Sequence, residues 1–212
     1  RCANSSGLAR SMPSAICRVQ AASSECSFAL SVCRGSCLFT LNIASLSVKQ
    51  LSKTKNAEYK PVWSPDGLSI AMLATKRALT SSETTMEDTH VWVMKADGTA
   101  RREVGAAIDN RQEAPRWSSD GQWLYFTVQE RGDSRLYRLP AAGTGVPELV
   151  VPAAGERGSI HSWSLSKAGA VAYAMSTPGG PTELYLKDSG APAKRLSSLN
   201  HELLNLRAVQ PV

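Results

Sequence analysis

Trp63-Ser64-Pro65-Asp66-Gly67 returns 54 residues later as Trp117-Ser118-Ser119-Asp120-Gly121, and fades 46 residues further on into Trp163-Ser164-Leu165-Ser166-Lys167-Ala168-Gly169. Each copy leads into a short apolar run, at residues 69–74, 123–128 and 170–174. A loop follows, then a second strand-like run carrying an aromatic: Val91-Trp92-Val93-Met94, Leu136-Tyr137-Arg138-Leu139 and Leu184-Tyr185-Leu186. Every unit then turns at Gly98, Gly143 or Gly190 and closes with one more short segment. Four strand-like segments per unit at such spacing are the signature of β-propeller blades. The fold class expected is all-β: a partial β-propeller of about three four-stranded antiparallel blades, preceded by an unstructured N-terminal segment. In the Ser-Pro-Asp-Gly turn, Pro65 pre-sets φ, Asp66 tolerates the bridge region and Gly67 supplies the left-handed residue of a hairpin. Trp63, Trp117 and Trp163 are expected at equivalent places on the innermost strand. There Trp63 would wedge between neighbouring sheets and bury roughly 150–250 Å².

Composition narrows the function classes. The 24 Lys and Arg against 18 Asp and Glu leave a net charge of +6, scattered along the blades with no basic stripe and no interleaved aromatics. Nucleic acid is therefore not an expected partner. No run of about 18 apolar residues occurs, so no spanning helix and no membrane partner are expected. Composition breaks near residue 40. Cys2, Cys17, Cys26, Cys33 and Cys37 all lie before the break, amid many serines, four arginines and a single acid, Glu25. That pattern fits either a segment foreign to the fold or an organellar targeting peptide. The blades, lacking cysteine, fit a cytoplasmic setting. Cys33-Arg34-Gly35-Ser36-Cys37 is one residue too wide for a redox Cys-x-x-Cys, and no His or Asp completes a zinc site.

The organisation expected is a disordered, foreign or targeting segment at 1–40, then a remnant strand and linker at 41–57. Three blades follow at 58–107, 109–157 and 159–199, with an exit segment at 200–212. Successive antiparallel strands turn at opposite ends, so the loop after the second strand and the connection to the next blade share one rim. Residues 75–89, 109–113, 129–133, 155–161 and 176–182 gather there, and binding is usually built on such loops. Arg111 and Glu113 are the candidate contact residues on that rim, toward substrate or a neighbouring domain.

A complete catalytic apparatus is not legible. No Gly-x-Ser-x-Gly nucleophile elbow occurs. His90, His161 and His201 fall in separate elements with no evident nucleophile beside any of them, and His161 reads as a satisfied rim histidine. Thr177-Pro178-Gly179-Gly180-Pro181 lacks the Lys and helix of a phosphate-binding loop. No catalytic residue, metal or cofactor is assigned.

Trp63-Ser64-Pro65-Asp66-Gly67 and Val91-Trp92-Val93-Met94-Lys95-Ala96-Asp97-Gly98 resemble the repeats of TolB-like proteins and prolyl oligopeptidase family enzymes. Residues 109–118 and Asp120-Gly121-Gln122-Trp123-Leu124-Tyr125-Phe126-Thr127 are similar to the dipeptidyl and acylaminoacyl peptidases of the latter family. So is Arg195-Leu196 followed by Leu199-Asn200-His201-Glu202-Leu203-Leu204. The likeness covers 56–212. It implies a propeller that gates access to an α/β-hydrolase domain of the same polypeptide, with short peptides as substrates and catalytic residues lying elsewhere. The alternative it leaves open is a non-enzymatic TolB-like propeller that binds proteins. The first forty residues share none of this; their five cysteines could hint at disulfides, but none linking them to the blades is expected. Free-thiol titration with mass spectrometry checks that, and any defined Cys–Cys bridge refutes it.

Overall fold

The structure, a computed structural model, describes residues 27–32, 37–42, 45–78 and 88–199. Among them every regular element is a β-strand. The chain divides into two compact units, Arg1–Glu103 and Val104–Val212.

The first unit holds two sheets. One is three-stranded, β1 (Ser27–Val32), β2 (Cys37–Asn42) and β3 (Val48–Gln50), in that order. The other is the first blade, β4 (Asn56–Trp63), β5 (Ser69–Ala78), β6 (Thr89–Lys95) and β7 (Arg102–Glu103), an antiparallel meander. The second unit holds two blades of the same topology. One is β8 (Gln112–Trp117), β9 (Trp123–Glu130), β10 (Asp133–Pro140) and β11 (Glu148–Val151). The other is β12 (Ser159–Leu165), β13 (Val171–Thr177), β14 (Gly180–Lys187) and β15 (Lys194–Arg195). The partial propeller of three four-stranded blades is thus observed.

Two expectations near the N-terminus need correction. The composition break at residue 40 falls inside β2, which pairs with β1 from Val32↔Cys37 to Ser27↔Asn42. Cys37 and Leu38 are buried, so serine-rich composition did not keep this stretch out of the fold. The single remnant strand expected at 41–50 is instead a hairpin, because Asn42 caps a turn by accepting Ser45 N–H on its side chain and donates its own N–H to Ser47 O across it. Residues 1–26 and the exit segment 200–212 lie outside the described residues, as do Cys2, Cys17, Cys26 and Cys33; Cys37 is a free thiol.

The repeated turn owes its shape to its serine. Ser64 Oγ receives Ser69 N–H (2.9 Å) and donates to Asp66 Oδ1 (2.5 Å), which in turn receives Leu68 N–H (3.0 Å). Ser118 and Asp120 repeat this with Trp123 N–H (2.9 Å) and Gln122 N–H (2.9 Å). In the third blade Ser166 receives Ala170 N–H (2.9 Å), but Ala168 replaces the aspartate and the turn is one residue shorter. The glycines close all three turns at φ of 70°, 71° and 86°, where a side chain would be strained.

That serine corrects the alignment of the tryptophans. Trp63 pairs with Ile70 and Trp117 with Leu124, each one residue before the serine. The matching residue of the third blade is Leu165, paired with Val171; Trp163 sits two residues earlier, opposite Tyr173. On the innermost strand that earlier place belongs to Pro61 and Pro115, both buried like Trp163. Period-two alternation keeps Trp163 on the same face, so the bulk has moved along the strand without leaving the core.

The cores follow from pleat and burial. Trp63 and Trp92 pack on Leu38, Leu51, Ile70, Met72 and Met94, filling the space between the two sheets of the first unit. In the second unit, Tyr125, Leu136 and Val151 meet Ile160, Trp163, Val171, Tyr173 and Met175 between the two blades. Burial holds the Tyr173 phenol at a pKa of about 12, with smaller help from Tyr185, stacked at 5.2 Å, and Glu156. Residues 70–75 and 124–128 are buried without interruption, whereas β13 alternates, burying Val171, Tyr173 and Met175 and exposing Ala172. Its second face is open.

The Asp66 and Asp120 carboxyls are held below the ordinary carboxylate range, by the serine hydroxyl first and the backbone N–H of Leu68 or Gln122 next, against weak desolvation. A depressed carboxyl stabilises the fold fully above the unfolded pKa of about 4, and that contribution vanishes as pH falls below it. An Asp66→Asn/Asp120→Asn variant is therefore expected to melt lower than wild type at pH 7 and to lose less stability between about pH 5 and 2. Thermal melts across that range check this, and an acid limb identical to wild type refutes it.

Candidate functional site: the loop rim of the second unit

The rim is assembled by backbone geometry before any side chain acts. Strands β9 and β10 join through Arg131-Gly132 alone, both left-handed (φ 51° and 82°), a two-residue hairpin whose twist matches the strands. The tight turn sets Glu130 opposite Asp133. In the third blade Pro178-Gly179 does the same between Thr177 and Gly180. The connections entering the blades are tied by inner-strand side chains. Gln112 Nε2 donates to Gly105 O (2.7 Å) and Ile108 O (2.8 Å), fixing residues 105–108. Glu58, the same position in the first blade, accepts from Thr54 Oγ1 (2.9 Å) and Ser52 Oγ and pairs with Arg101 Nε (3.0 Å). Arg101 lies 3.9 Å over the Trp92 ring.

On this scaffold sits a cluster of charges. Asp133, almost wholly buried, pairs with Arg157 Nε (2.6 Å) and faces Arg135 NH2 (3.8 Å). Arg135 also pairs with Glu130 (3.3 Å) and donates to Glu156 O (3.0 Å), and Tyr137 OH donates to Glu130 (3.1 Å). The cluster thus binds the β9–β10 hairpin to the connection that enters the third blade. Arg157 is 60% exposed, so its guanidinium offers the rim a solvent-facing cation held at fixed position.

Arg111 and Glu113 flank Gln112, both half-buried. Arg111 immediately precedes β8, its carbonyl receiving Gln129 N–H (3.0 Å) from the hairpin strand. Glu113 lies within β8 opposite Thr127, a strand residue where a loop residue was expected. The 75–89 loop is shorter than its polar sequence suggested. Strand β5 runs to Ala78 and β6 begins at Thr89, both in the first unit, and residues 79–87 with Glu83 and Glu87 lie outside the described residues. Asp133, Arg135 and Arg157 were not singled out from sequence. Alternating charge in Glu130-Arg131-Gly132-Asp133-Ser134-Arg135 was the available signal.

His161 requires a further correction, since it does have a hydroxyl beside it: Nε2 lies 2.9 Å from Ser176 Oγ. The cause is a β-bulge. Ile160 pairs with Met175 and Ser162 with Ala174, leaving His161 as the extra residue, turned out of alternation. Both side chains are on the surface, and no carboxylate orients the other ring nitrogen among the described residues. Ser176 lies within β13 where its register with β14 shifts, and not on a strand-to-helix turn, and the pair has no orienting carboxylate among the described residues. His90, in the first unit, is buried with Nδ1 2.5 Å from Glu103 Oε1. No group of three or more metal-ligating side chains occurs among the described residues.

At the opposite rim a cleft of about 180 Å³ opens between the two blades, lined by Tyr125, Arg138, Glu148, Lys187, Asp188 and Gly190 among others. It is smaller than the 300–1,000 Å³ typical of ligand pockets. Its main charge is already engaged: Arg138 pairs with Glu148 (2.8 Å) and lies 4.3 Å over Trp123. The loop rim is therefore the better candidate surface.

The fold and the rim define a segment of β-propeller. In sequence and fold the chain is similar to the propeller region of prolyl oligopeptidase family peptidases. It is 30% identical over 137 residues to dipeptidyl-peptidase 5 of Trichophyton schoenleinii and of Arthroderma benhamiae, covering 60% of this chain and 18% of those proteins. The chain thus spans under a fifth of the length of these relatives. No family profile matches it. Solved structures with the same fold include a puromycin-hydrolyzing peptidase of Mycobacterium tuberculosis (TM-score 0.68, 15% identity, 86% of this chain and 30% of that one). Acylaminoacyl peptidase of Pyrococcus horikoshii matches at TM-score 0.63 with 15% identity, over 85% of this chain and 27% of that one. TolB of Acinetobacter baumannii matches at 0.58 with 15% identity, over 81% and 40%.

Asp133 and Arg157 should separate sharply in energy. Arg157→Ala leaves the buried Asp133 carboxylate with only Arg135, at 3.8 Å, and is expected to lower stability by about 1–3 kcal/mol, whereas Asp133→Ala leaves Arg135 its contacts with Glu130 and the Glu156 carbonyl and is expected to lower it by under about 1 kcal/mol. Urea denaturation of the two variants measures this, and equal losses refute the assignment.

Proposed function

We propose that this chain is propeller sequence of a serine peptidase that hydrolyses short peptides, with an α/β-hydrolase domain of the same polypeptide performing the chemistry. The observation that carries this reading is the 30% identity to dipeptidyl-peptidase 5, joined to blades of matching topology. The chemistry would be acyl transfer by a Ser-His-Asp triad with an oxyanion hole, none of whose members is assigned to a residue of this chain. The propeller's part is steric and electrostatic. A rigid rim excludes long or folded chains and presents fixed charges at its edge. Arg111 and Glu113 are the proposed contacts toward the hydrolase domain or the substrate, with Arg157 on the same unit's loop rim.

Two experiments test the reading. A fluorophosphonate probe is expected to leave this chain unlabelled, and labelling of Ser176 would overturn the statement that the triad lies elsewhere. In the full-length protein, Arg111→Ala and Glu113→Ala are expected to reduce kcat/KM for short peptides about tenfold, a loss of about 1.4 kcal/mol, with the rate of fluorophosphonate labelling unchanged. A downstream reading frame without Gly-x-Ser-x-Gly, then Asp, then His, would favour the protein-binding TolB-like alternative.

A further inference from the structure

The third strand of every blade carries a polar residue two places before its aromatic: His90 before Trp92, Arg135 before Tyr137, Glu183 before Tyr185. Their cross-strand registers match, since Trp92 pairs with Met72 as Tyr137 pairs with Phe126 and Tyr185 with Tyr173. In each case the side chain reaches the last strand of its blade or the chain that leaves it. His90 bonds Glu103 on β7, and Arg135 bonds the carbonyl of Glu156 after β11. Glu183 does most. Its buried carboxylate accepts from Arg195 NH2 (2.9 Å), from the Ser197 hydroxyl, and from Leu199 N–H with both oxygens (3.0 and 3.2 Å).

We propose that Glu183 is a clasp that fixes residues 195–199, so that the chain beyond Leu199 departs the third blade from a set point. Arg195, held by Glu183, extends the hold, its Nε donating to Ser197 O (2.7 Å). Leu196 N–H reaches Leu184 O (2.7 Å) and Leu184 N–H reaches Ser197 Oγ (2.8 Å), so the clasp also aligns the last backbone pairing. The hold depends on an ionised carboxylate. All three donors point at it, and an amide in its place would set N–H against at least one of them. Arg195 is the charged group facing it from β15; from β13 its register partner is Met175, which does not titrate. The Ser197 hydroxyl, the Leu199 N–H and Arg195 keep the carboxyl below its ordinary range against desolvation. The clasp is consequently shut at neutral pH and opens as pH falls below the ordinary carboxylate range, about 4.

Amide hydrogen exchange read residue by residue tests the proposal. Wild type at pH 7 is expected to protect Leu196 and Leu199, with protection lost in acid after correction for intrinsic rates. Glu183→Gln is expected to accelerate Leu199 exchange about tenfold or more at pH 7, with Trp163 and Tyr173 unchanged. Ser197→Ala, which keeps the carboxylate, is expected to give a smaller loss confined to 195–199. Leu199 protection surviving Glu183→Gln overturns the clasp. So does loss of protection spreading through β12 and β13, which would make Glu183 a support of the blade itself.

Discussion

A serine hydroxyl at the first turn of each blade sets the geometry on which the rest depends. Ser64, Ser118 and Ser166 each receive the N–H of the residue that opens or immediately precedes the next strand, at 2.9 Å in all three. That bond fixes where the second strand begins relative to the first. Side chains alternate with period two, so a slip of one residue would send Ile70 and Met72, or Tyr125, to the wrong face and empty the core. The aspartate two residues on reinforces the turn in the first two blades. In the third it is absent, and the shortened turn keeps the same serine bond.

The inner strands show a second shared constraint, a bulge that frees one residue from the ladder. In the first two blades it lies at Lys60-Pro61 and Ala114-Pro115, with Lys60 and Ala114 left-handed at φ 51° and 52°. The extra residue bends the strand and lets Glu58 or Gln112, just upstream, turn back on the incoming connection. Gly105 is required by this arrangement, for a Cβ there would lie 1.9 Å from the Gln112 amide oxygen. The inner strand of the third blade has no proline, and its bulge falls on His161 instead. The His161–Ser176 pair is thus a product of strand irregularity, which accounts for a serine beside a histidine without the rest of a catalytic site.

Charges on the loop rim are arranged as ties between elements. Asp133 sits between two guanidiniums, one half-buried and one exposed, and Arg135 spans from the hairpin to a backbone carbonyl of the next connection. Pairing of this kind makes the rim stiff where loops are ordinarily loose. A stiff rim suits a proposed role in excluding large substrates, since a flexible one would yield to them.

The sequence by itself determined the all-β class, the blade repeat and the turn chemistry, because glycine, serine and aspartate at fixed offsets act within a few residues of chain. It also disclosed that the triad motifs are missing. It misled where burial, and not local propensity, decided. The stretch at 37–42, where the cysteine- and serine-rich segment ends, joins a sheet because Leu38 and Cys37 find a covered face. Trp163 proved two places out of register because either position fills the same core. Asp133, Arg135 and Arg157 became a cluster, and Glu183 a clasp, only once antiparallel pairing brought together residues 12 to 24 apart. Electrostatic contacts act through space at a few ångströms, and spacing along the chain carries no record of that distance.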